Sequence, residues 1–332
     1  MRNIIIIGRI HTDNLGDRII GRTMRNLFDR PDLKIFSADY TIRALSSSSR
    51  VYNRLIRPLV DRLYKARCKR VIKKSEMAII GGGELISSGF LKDLKEWNLM
   101  FEINNPGIKR VLFGVGVVEN FSKSEENELR SILRLFHIIY LRDYDSLKYI
   151  KEINDNPSCK IEYLPDPVFS YKYNNDSLKI GISFGITDMR RHIKHGYVKF
   201  RTKQELFEFY YENLRNLIDK YGEKRVNIIY NSDNDKIVAM EFSEYCKREW
   251  GINAVVPLIQ NEDCLIHLIS SSRALASPRM HACIIGLLCG IDVKPIIISD
   301  KMKKFAELYC GKEIDIEYLS KQIINAANKI VE

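Results

Sequence analysis

Short, unbroken apolar runs alternate with longer stretches whose apolar positions recur every three or four residues, and the alternation spans the whole chain. Runs of this kind bounded by turn residues read as strands buried on both faces, and the periodic stretches read as amphipathic helices. The first run, residues 3–8, is four consecutive isoleucines closed by Gly8; a polar loop at 11–17 and a helix at 18–28 follow it. Further strands are predicted at 33–37, 76–80, 110–114, 135–141 and 161–164. Pro165-Asp166-Pro167 then stops regular structure and 171–177 is polar, which sets a boundary after residue 174. The rhythm restarts with a strand at 178–184, a loop at 185–201, a helix at 202–221 and a strand at 225–230. A helix at 235–250, a strand at 254–258, a helix at 263–270 and a strand at 274–277 follow. A helix closing at Gly290 leads to a strand at 293–299 and helices at 300–309 and 318–331.

Two successive sets of alternating strands and helices predict an α/β protein of two doubly wound Rossmann-like domains facing one another across a cleft. The expected division is residues 1–174, residues 175–316, and a C-terminal helix at 317–332 packing back on the first domain. In open parallel sheets ligands bind beyond the carboxyl ends of the strands, so the chemistry is sought in those loops.

The loop 11–17 presents Asn14, Gly16 and Asp17 without the spacing of a dinucleotide-binding turn. Asp17 either caps the next helix or serves as a carboxylate base or hydroxyl-binding group. Gly81, Gly82 and Gly83, followed by Glu84, either bring backbone N–H groups up to a ligand or form a tight strand-to-helix turn. Gly116 ends another strand, and Arg142 and Asp143 a further one, where they face the same rim or pair with each other. Arg190, Arg191, His192, Lys194 and His195 crowd the loop at 185–201, which either closes over an anion or is simply solvated.

The densest chemistry lies at residues 274–290. Ser277 is placed to cap the helix, Pro278 to take its first position and Gly290 to end it, which puts Arg279 and His281 in the first turn. Free N–H groups and the positive end of the helix dipole favour an anion there. Arg279 adds a permanently charged planar fork, and His281 can move a proton beside it. The alternative is a surface ion pair and a half-buried structural histidine.

The 332 residues carry 53 Lys+Arg against 42 Asp+Glu, a formal +11 that favours anionic partners without choosing among them. From Arg54 to Lys74 cations predominate with apolar residues interspersed at helical spacing. That is either an amphipathic helix resting on anionic lipid or a domain helix with a solvated basic face. Seven cysteines, odd in number and with no C-x-x-C pair, read as reduced and core-filling. The histidines show no metal spacing, so no metal is expected. No apolar run suits a signal peptide or a membrane span, so the chain is expected to remain in the cytoplasm.

Asn14-Leu-Gly-Asp17, Gly81-Gly-Gly83, Gly114-Val-Gly116, Arg142-Asp143 with Ser146, and Ser277-Pro-Arg279-Met-His281-Ala282 occur in this order. Together they resemble the polysaccharide pyruvyl transferase family from residue 4 to about residue 299. The resemblance implies a glycosyltransferase-B-like fold. It also implies transfer of a pyruvyl group from phosphoenolpyruvate to two hydroxyls of a sugar, forming a cyclic ketal in a capsule or exopolysaccharide. No cofactor beyond the phosphoenolpyruvate donor is implied. Arg279 takes the donor-binding role and His281 the acid role. The first loop departs from the family in carrying Arg9 and His11, and the glycine triplet in being followed by Glu84.

Phosphoenolpyruvate carries a carboxylate and a phosphate, so a second cationic subsite is needed beside Arg279; Arg142, Arg190 and Arg191 are the candidates. Asp17 or Glu84 is a candidate base or acceptor-orienting group. A lipid-diphosphate-linked acceptor at the inner face of the cytoplasmic membrane would make sense of the basic helix. One rival is a glycosyltransferase of the same fold using a nucleotide sugar, and another is a non-catalytic protein binding nucleic acid or an anionic surface. No RNA- or DNA-binding motif is present, so a nucleic-acid partner is not expected.

Overall fold

The computed structural model describes residues 1–41, 56–118, 120–173, 178–196, 199–223 and 225–332, with the side chains of Lys194 and His195 also outside the described set. Arg54, at the head of the basic stretch, and the boundary expected at 174/175 lie outside the described residues.

The chain forms two compact units. One comprises Met1–Thr12, Ile20–Ser170 and Tyr318–Glu332, the other Asp13–Ile19 and Tyr171–Glu317.

The first unit is built on β1 (Arg2–Gly8), β2 (Leu33–Asp39), β3 (Met77–Ile86), β4 (Lys109–Val117), β5 (Ile138–Leu141) and β6 (Lys160–Tyr163). They form one sheet in the order β2-β1-β3-β4-β5-β6, every pairing parallel. The isoleucine run of β1 is buried between β2 and β3, which is why it has no polar face. The helices are α1 (Leu15–Leu27), α2 (Arg57–Ile72), α3 (Leu91–Asn104), α4 (Lys123–Leu133) and α5 (Tyr144–Ile153). Helices α3 and α4 lie where the sequence pattern assigned no element. In α3 the buried positions Leu91, Leu94, Trp97, Asn98 and Phe101 do recur at helical spacing, but the polar Asn98 among them and the apolar Leu99 and Ile103 on the exposed side blur the contrast of the two faces.

The glycine triplet is neither a strand-to-helix turn nor an open loop, because β3 runs straight through it and all three glycines are buried. A Cβ at Gly82 would lie 1.9 Å from Ile20 Cγ2, and one at Gly81 2.5 Å from Met24 Cε. Helix α1 thus lies directly on the strand there. Gly82 and Gly83 also have φ of 72° and 84°, where a side chain is strained, and the register with β4 shifts just beyond.

The second unit carries β7 (Ile182–Gly185), β8 (Val226–Ile229), β9 (Ala254–Val255), β10 (Ala274–Ser277) and β11 (Asp292–Pro295), parallel and in the order β11-β10-β7-β8-β9. The order reverses between β7 and β10. Its helices are α6 (Met189–His195), α7 (Lys203–Tyr221), α8 (Asp233–Trp250), α9 (Glu262–Ser270), α10 (Met280–Leu288) and α11 (Asp300–Tyr309). The last helix, α12 (Ile316–Val331), belongs to the first unit from Tyr318 onward, where Lys109 Nζ donates to the Ile330 carbonyl at 2.8 Å.

The stretch 185–201 is not one open basic loop. Asp188 caps α6 by accepting from Arg191 N–H, and His192 is fully buried among Phe200, Phe209 and Tyr210, its Nε2 2.8 Å from the Tyr210 hydroxyl. Among the described residues no helix is long and apolar enough to cross a membrane.

Candidate functional site

In the second unit strand order reverses between β7 and β10, and the carboxyl ends of the strands at such a switch are the usual ligand position in a parallel sheet. The polar residues beyond those strand ends converge on one cluster.

Helix α10 starts later than the sequence implied. Ser277 is still strand, paired with Pro295, because a residue before proline is held extended. Arg279 occupies the N-cap with φ −107° and ψ 111°, and no side chain caps the helix. Ser277 Oγ instead accepts from Arg279 N–H at 3.1 Å. Ser277 is fully buried, and a Cβ on Gly185 would come within 2.3 Å of its Oγ, so it shapes the turn from beneath. The N–H groups that begin α10 lack an intrahelical partner, as at any helix start.

Arg279 is 8% exposed, and its Nη2 donates to Asp235 Oδ2. Asp235, fully buried in the first turn of α8, also accepts from Thr187 Oγ1 at 2.9 Å and from Asp188 N–H at 3.3 Å. It therefore clamps Arg279 to the loop after β7. Arg279 Nε has no hydrogen-bond partner among the described residues.

Arg191 joins the cluster from α6. Its side chain is open to solvent, yet crowding by surrounding protein and, next, the charge of Arg279 hold its pKa below the ordinary arginine value. Asp235, Asp188 and Asp17 oppose that shift, which places all three carboxylates within electrostatic reach. Arg191 makes no ion pair among the described residues. Arg190 points outward, mostly exposed, and pairs with Asp188 at 3.0 Å.

Residues Asp13–Ile19 group with this unit. Leu15 N–H donates to the Asn231 carbonyl at 2.8 Å, and Arg18 pairs with Glu262 at 2.6 Å. Helix α1 begins at Leu15, so Asp17 sits inside its first turn and does not cap it; Asn14 Oδ1 accepts from Gly16 N–H at 3.0 Å. A Cβ on Gly16 would lie 3.0 Å from His281 Nδ1 and 3.3 Å from Asn14 Oδ1. The missing side chain thus lets this turn close against the buried His281. Asn231, also buried, offers an Oδ1 with no hydrogen-bond partner among the described residues.

The remaining expected residues form a separate group in the first unit. Arg142 does not pair with Asp143. It binds Asp166 at 2.9 Å and Glu84 at 3.6 Å, while Asp143 caps α5 by accepting from Ser146 N–H at 2.8 Å. Burial opposes the charge on Arg142, but the carboxylates of Asp166, Glu84 and Asp143 outweigh it and raise the pKa above the ordinary value. A Cβ on Gly116 would stand 2.8 Å from Arg142 Nε, so this glycine admits the guanidinium.

Sequence reasoning missed Asp235, Thr187, Asp188 and Asn231. Asp235 reads as an ordinary acidic residue in a helix's first turn, and only sheet order brings it to Arg279. Asp166 carried a readable signal, a carboxylate held between two prolines at a strand end. All seven cysteines are free, and burial pushes the Cys283 thiol pKa well up and that of Cys289 to about 11.

Two parallel-sheet α/β units with a polar cluster at the switch in strand order define a glycosyltransferase-B-like protein. Solved structures with this fold include a UDP-GlcNAc 2-epimerase from Methanocaldococcus jannaschii, with TM-score 0.55 at 9% identity over 100% of this chain and 99% of that one. Another is the Neisseria meningitidis UDP-GlcNAc 2-epimerase bound to UDP-GlcNAc, with TM-score 0.53 at 11% identity over 100% and 98% of the two chains. No curated protein sequence matches the chain. The family model for polysaccharide pyruvyl transferase matches residues 14–296, and the chain belongs to that family. It is a transferase of polysaccharide biosynthesis.

Proposed function

We propose that the protein moves the pyruvyl group of phosphoenolpyruvate onto two hydroxyls of a sugar in a surface polysaccharide, such as a capsule or exopolysaccharide, or its lipid-linked precursor. The reaction forms a cyclic ketal and releases phosphate in the cytoplasm. One observation carries the reading: at the strand-order switch, Arg279 and Arg191 lie close enough for one charge to depress the other's pKa, with Asp235 bound to Arg279 and Asp188 engaged by Arg190. A bound polyanion relieves that repulsion, and phosphoenolpyruvate, with a carboxylate and a phosphate, is one. Arg191, rather than the outward Arg190 or the doubly matched Arg142, is then the second cationic arm.

In this reading the start of α10 and the two guanidiniums hold the donor, and Asp235 fixes the plane of Arg279. His281 delivers a proton to the methylene carbon, leaving a cationic centre at the adjacent carbon that bears the phosphate oxygen. A sugar hydroxyl adds to that centre and gives up its proton, with Asp17 as the base. Phosphate leaves with the C–O bonding electrons and restores the cationic centre; the second hydroxyl adds to that carbon and its proton goes to the departing phosphate, while the proton taken by Asp17 returns to His281. Asn14, Gly16 and Asn231 shape this side of the site. Gly81, Gly82, Gly83, Glu84, Gly116, Arg142 and Asp143 support the acceptor unit, their strand-end frame held by the Arg142 ion pairs.

The test is thermal unfolding of the wild type and Arg279→Ala with phosphoenolpyruvate, phosphate, UDP and nucleotide sugars. A ligand that binds only the native state raises the midpoint, by about 2.7 kcal/mol of stability at a hundredfold excess over Kd. Phosphoenolpyruvate is expected to stabilise the wild type alone. Stabilisation by a nucleotide sugar with none from phosphoenolpyruvate would instead favour glycosyl transfer, a reading that the fold shared with UDP-GlcNAc-binding structures keeps in view.

A further inference from the structure

Helix α2 is an oddity of the first unit, because apolar side chains point both ways. Cys68 and Ile72 are buried and fasten it to the sheet. On the opposite side Leu59, Leu63, Ala66, Arg70 and Lys73 follow one another at helical spacing, all exposed, with Leu59 at 58% and Leu63 at 64%. Helix α3 packs beside α2, joined through the ion pair of Lys65 with Glu96, and exposes Leu99 at 57% and Ile103 at 68%. Leu59, Leu63, Leu99 and Ile103 are thus four exposed aliphatic side chains on two helices that pack side by side.

The charge on α2 is one-sided, whereas α3 mixes Lys92 and Lys95 with Asp93, Glu96 and Glu102. Residues 57–74 contain eight Lys/Arg and one Asp. Lys65 is matched by Glu96, and Arg67 lies over the Phe36 ring at 5.0 Å. Arg57, Arg62, Lys69, Arg70, Lys73 and Lys74 make no ion pair with a described residue.

We propose that the outer face of α2 and α3 is a docking surface for an anionic phospholipid bilayer, with Leu59, Leu63, Leu99 and Ile103 entering the headgroup boundary and the unmatched cations meeting lipid phosphates. Leucine and isoleucine gain from an acyl-chain boundary, and long basic side chains reach from it to the headgroups. A second copy meeting α2 against α2 would bring like charges together. A nucleic acid would use the cations and leave the aliphatic side chains in water, since it is bound through phosphates and stacked bases. This surface goes beyond the proposed pyruvyl transfer and stands on different residues from the Arg279 cluster.

The experiment is co-sedimentation of the full chain with vesicles of phosphatidylcholine alone and with added phosphatidylglycerol, at low and at about 0.15 M ionic strength. Binding is expected only with the anionic lipid. It should weaken on the order of a hundredfold when Arg62, Lys69, Arg70 and Lys73 are changed together to Ser, and about tenfold or more in Leu59→Ser/Leu63→Ser. All these side chains are exposed, so unchanged melting midpoints identify folded variants. Arg279→Ala should bind vesicles as the wild type does, which separates this result from that of the ligand test. No preference for anionic vesicles, or binding indifferent to both sets of substitutions, overturns the proposal. So does retention on single-stranded RNA that competes with vesicles and survives the leucine changes.

Discussion

Arg142 and Arg279 each stand just beyond the carboxyl end of a parallel strand, and both are almost wholly withdrawn from water. They differ in what surrounds the guanidinium. Arg142 is flanked by Asp166 and Glu84 and has its charge doubly matched; Arg279 holds Asp235 and has a second guanidinium, Arg191, nearby. A buried arginine between two acids fastens a fold, because its charge is already spent on the protein. At Arg279 two guanidiniums lie among Asp235, Asp188 and Asp17, and Arg191 makes no ion pair with a described residue, so that cation is available to an outside anion. Burial and strand position are shared, so local charge balance is what distinguishes the surroundings of the two arginines.

The largest effects should come from removing either side chain. Arg142→Ala leaves Asp166 buried without its cation and is expected to cost about 3–5 kcal/mol in denaturant unfolding, while ligand stabilisation of the folded fraction survives. Arg279→Lys keeps a cation for Asp235 but loses the fork, and kcat/KM with phosphoenolpyruvate should fall about 10²–10³-fold. If phosphoenolpyruvate stabilisation vanished in the Arg142 variant and persisted in Arg279→Lys, the contrast between the two would be reversed.

Asp235→Asn should follow, with kcat lowered about tenfold to a hundredfold as the Arg279 plane loosens, and the phosphoenolpyruvate KM less affected. An unchanged kcat would remove Asp235 from a positioning role.

Two glycines sharpen the same comparison at smaller scale. Gly116→Ala presses on Arg142 and Gly16→Ala on His281. Each should cost about 1–3 kcal/mol by overpacking, but only Gly16→Ala should lower turnover further than its stability loss explains. Equal activity losses in the two would mean that His281 has no special role.

The smallest effect is a pH dependence confined to the first unit. Burial, then the charges of Arg110 and Lys109, lower the pKa of His137, whose Nδ1 accepts from Arg110 N–H at 3.1 Å. A group with a depressed folded pKa contributes stability above its unfolded value, about 6.5, and that contribution is lost as pH falls through the folded value. Melting midpoints should therefore decline modestly below about pH 6.5, and less in His137→Gln. The contribution is small because the ring is largely open to solvent.

Of the cluster beyond β10, Arg279 and His281 stood out in the sequence because a strand, a turn and a helix in immediate succession place them by local geometry, although the later start of α10 at Met280 was not legible there. The glycine triplet was readable as unusual but not in its cause. Its partners Ile20 and Met24 come from α1, more than fifty residues earlier in the chain. His192 read as one more basic residue of a segment either closing over an anion or simply solvated, until the aromatic cage of Phe200, Phe209 and Tyr210 took it inside.

By itself, the sequence determined the alternation of strand and helix, the parallel character of the sheets and the family, since each rests on residues adjacent in the chain or on motifs in fixed order. Tertiary structure alone decided that Asp235 holds Arg279, that Arg191 rather than Arg142 stands with it, and that Gly16 rests on His281. Those contacts follow from strand order and from where Asp13–Ile19 settles. Long-range packing chooses among loops that look alike along the chain, and the crowding of Arg191 against Arg279 appears only once their acids have been assigned.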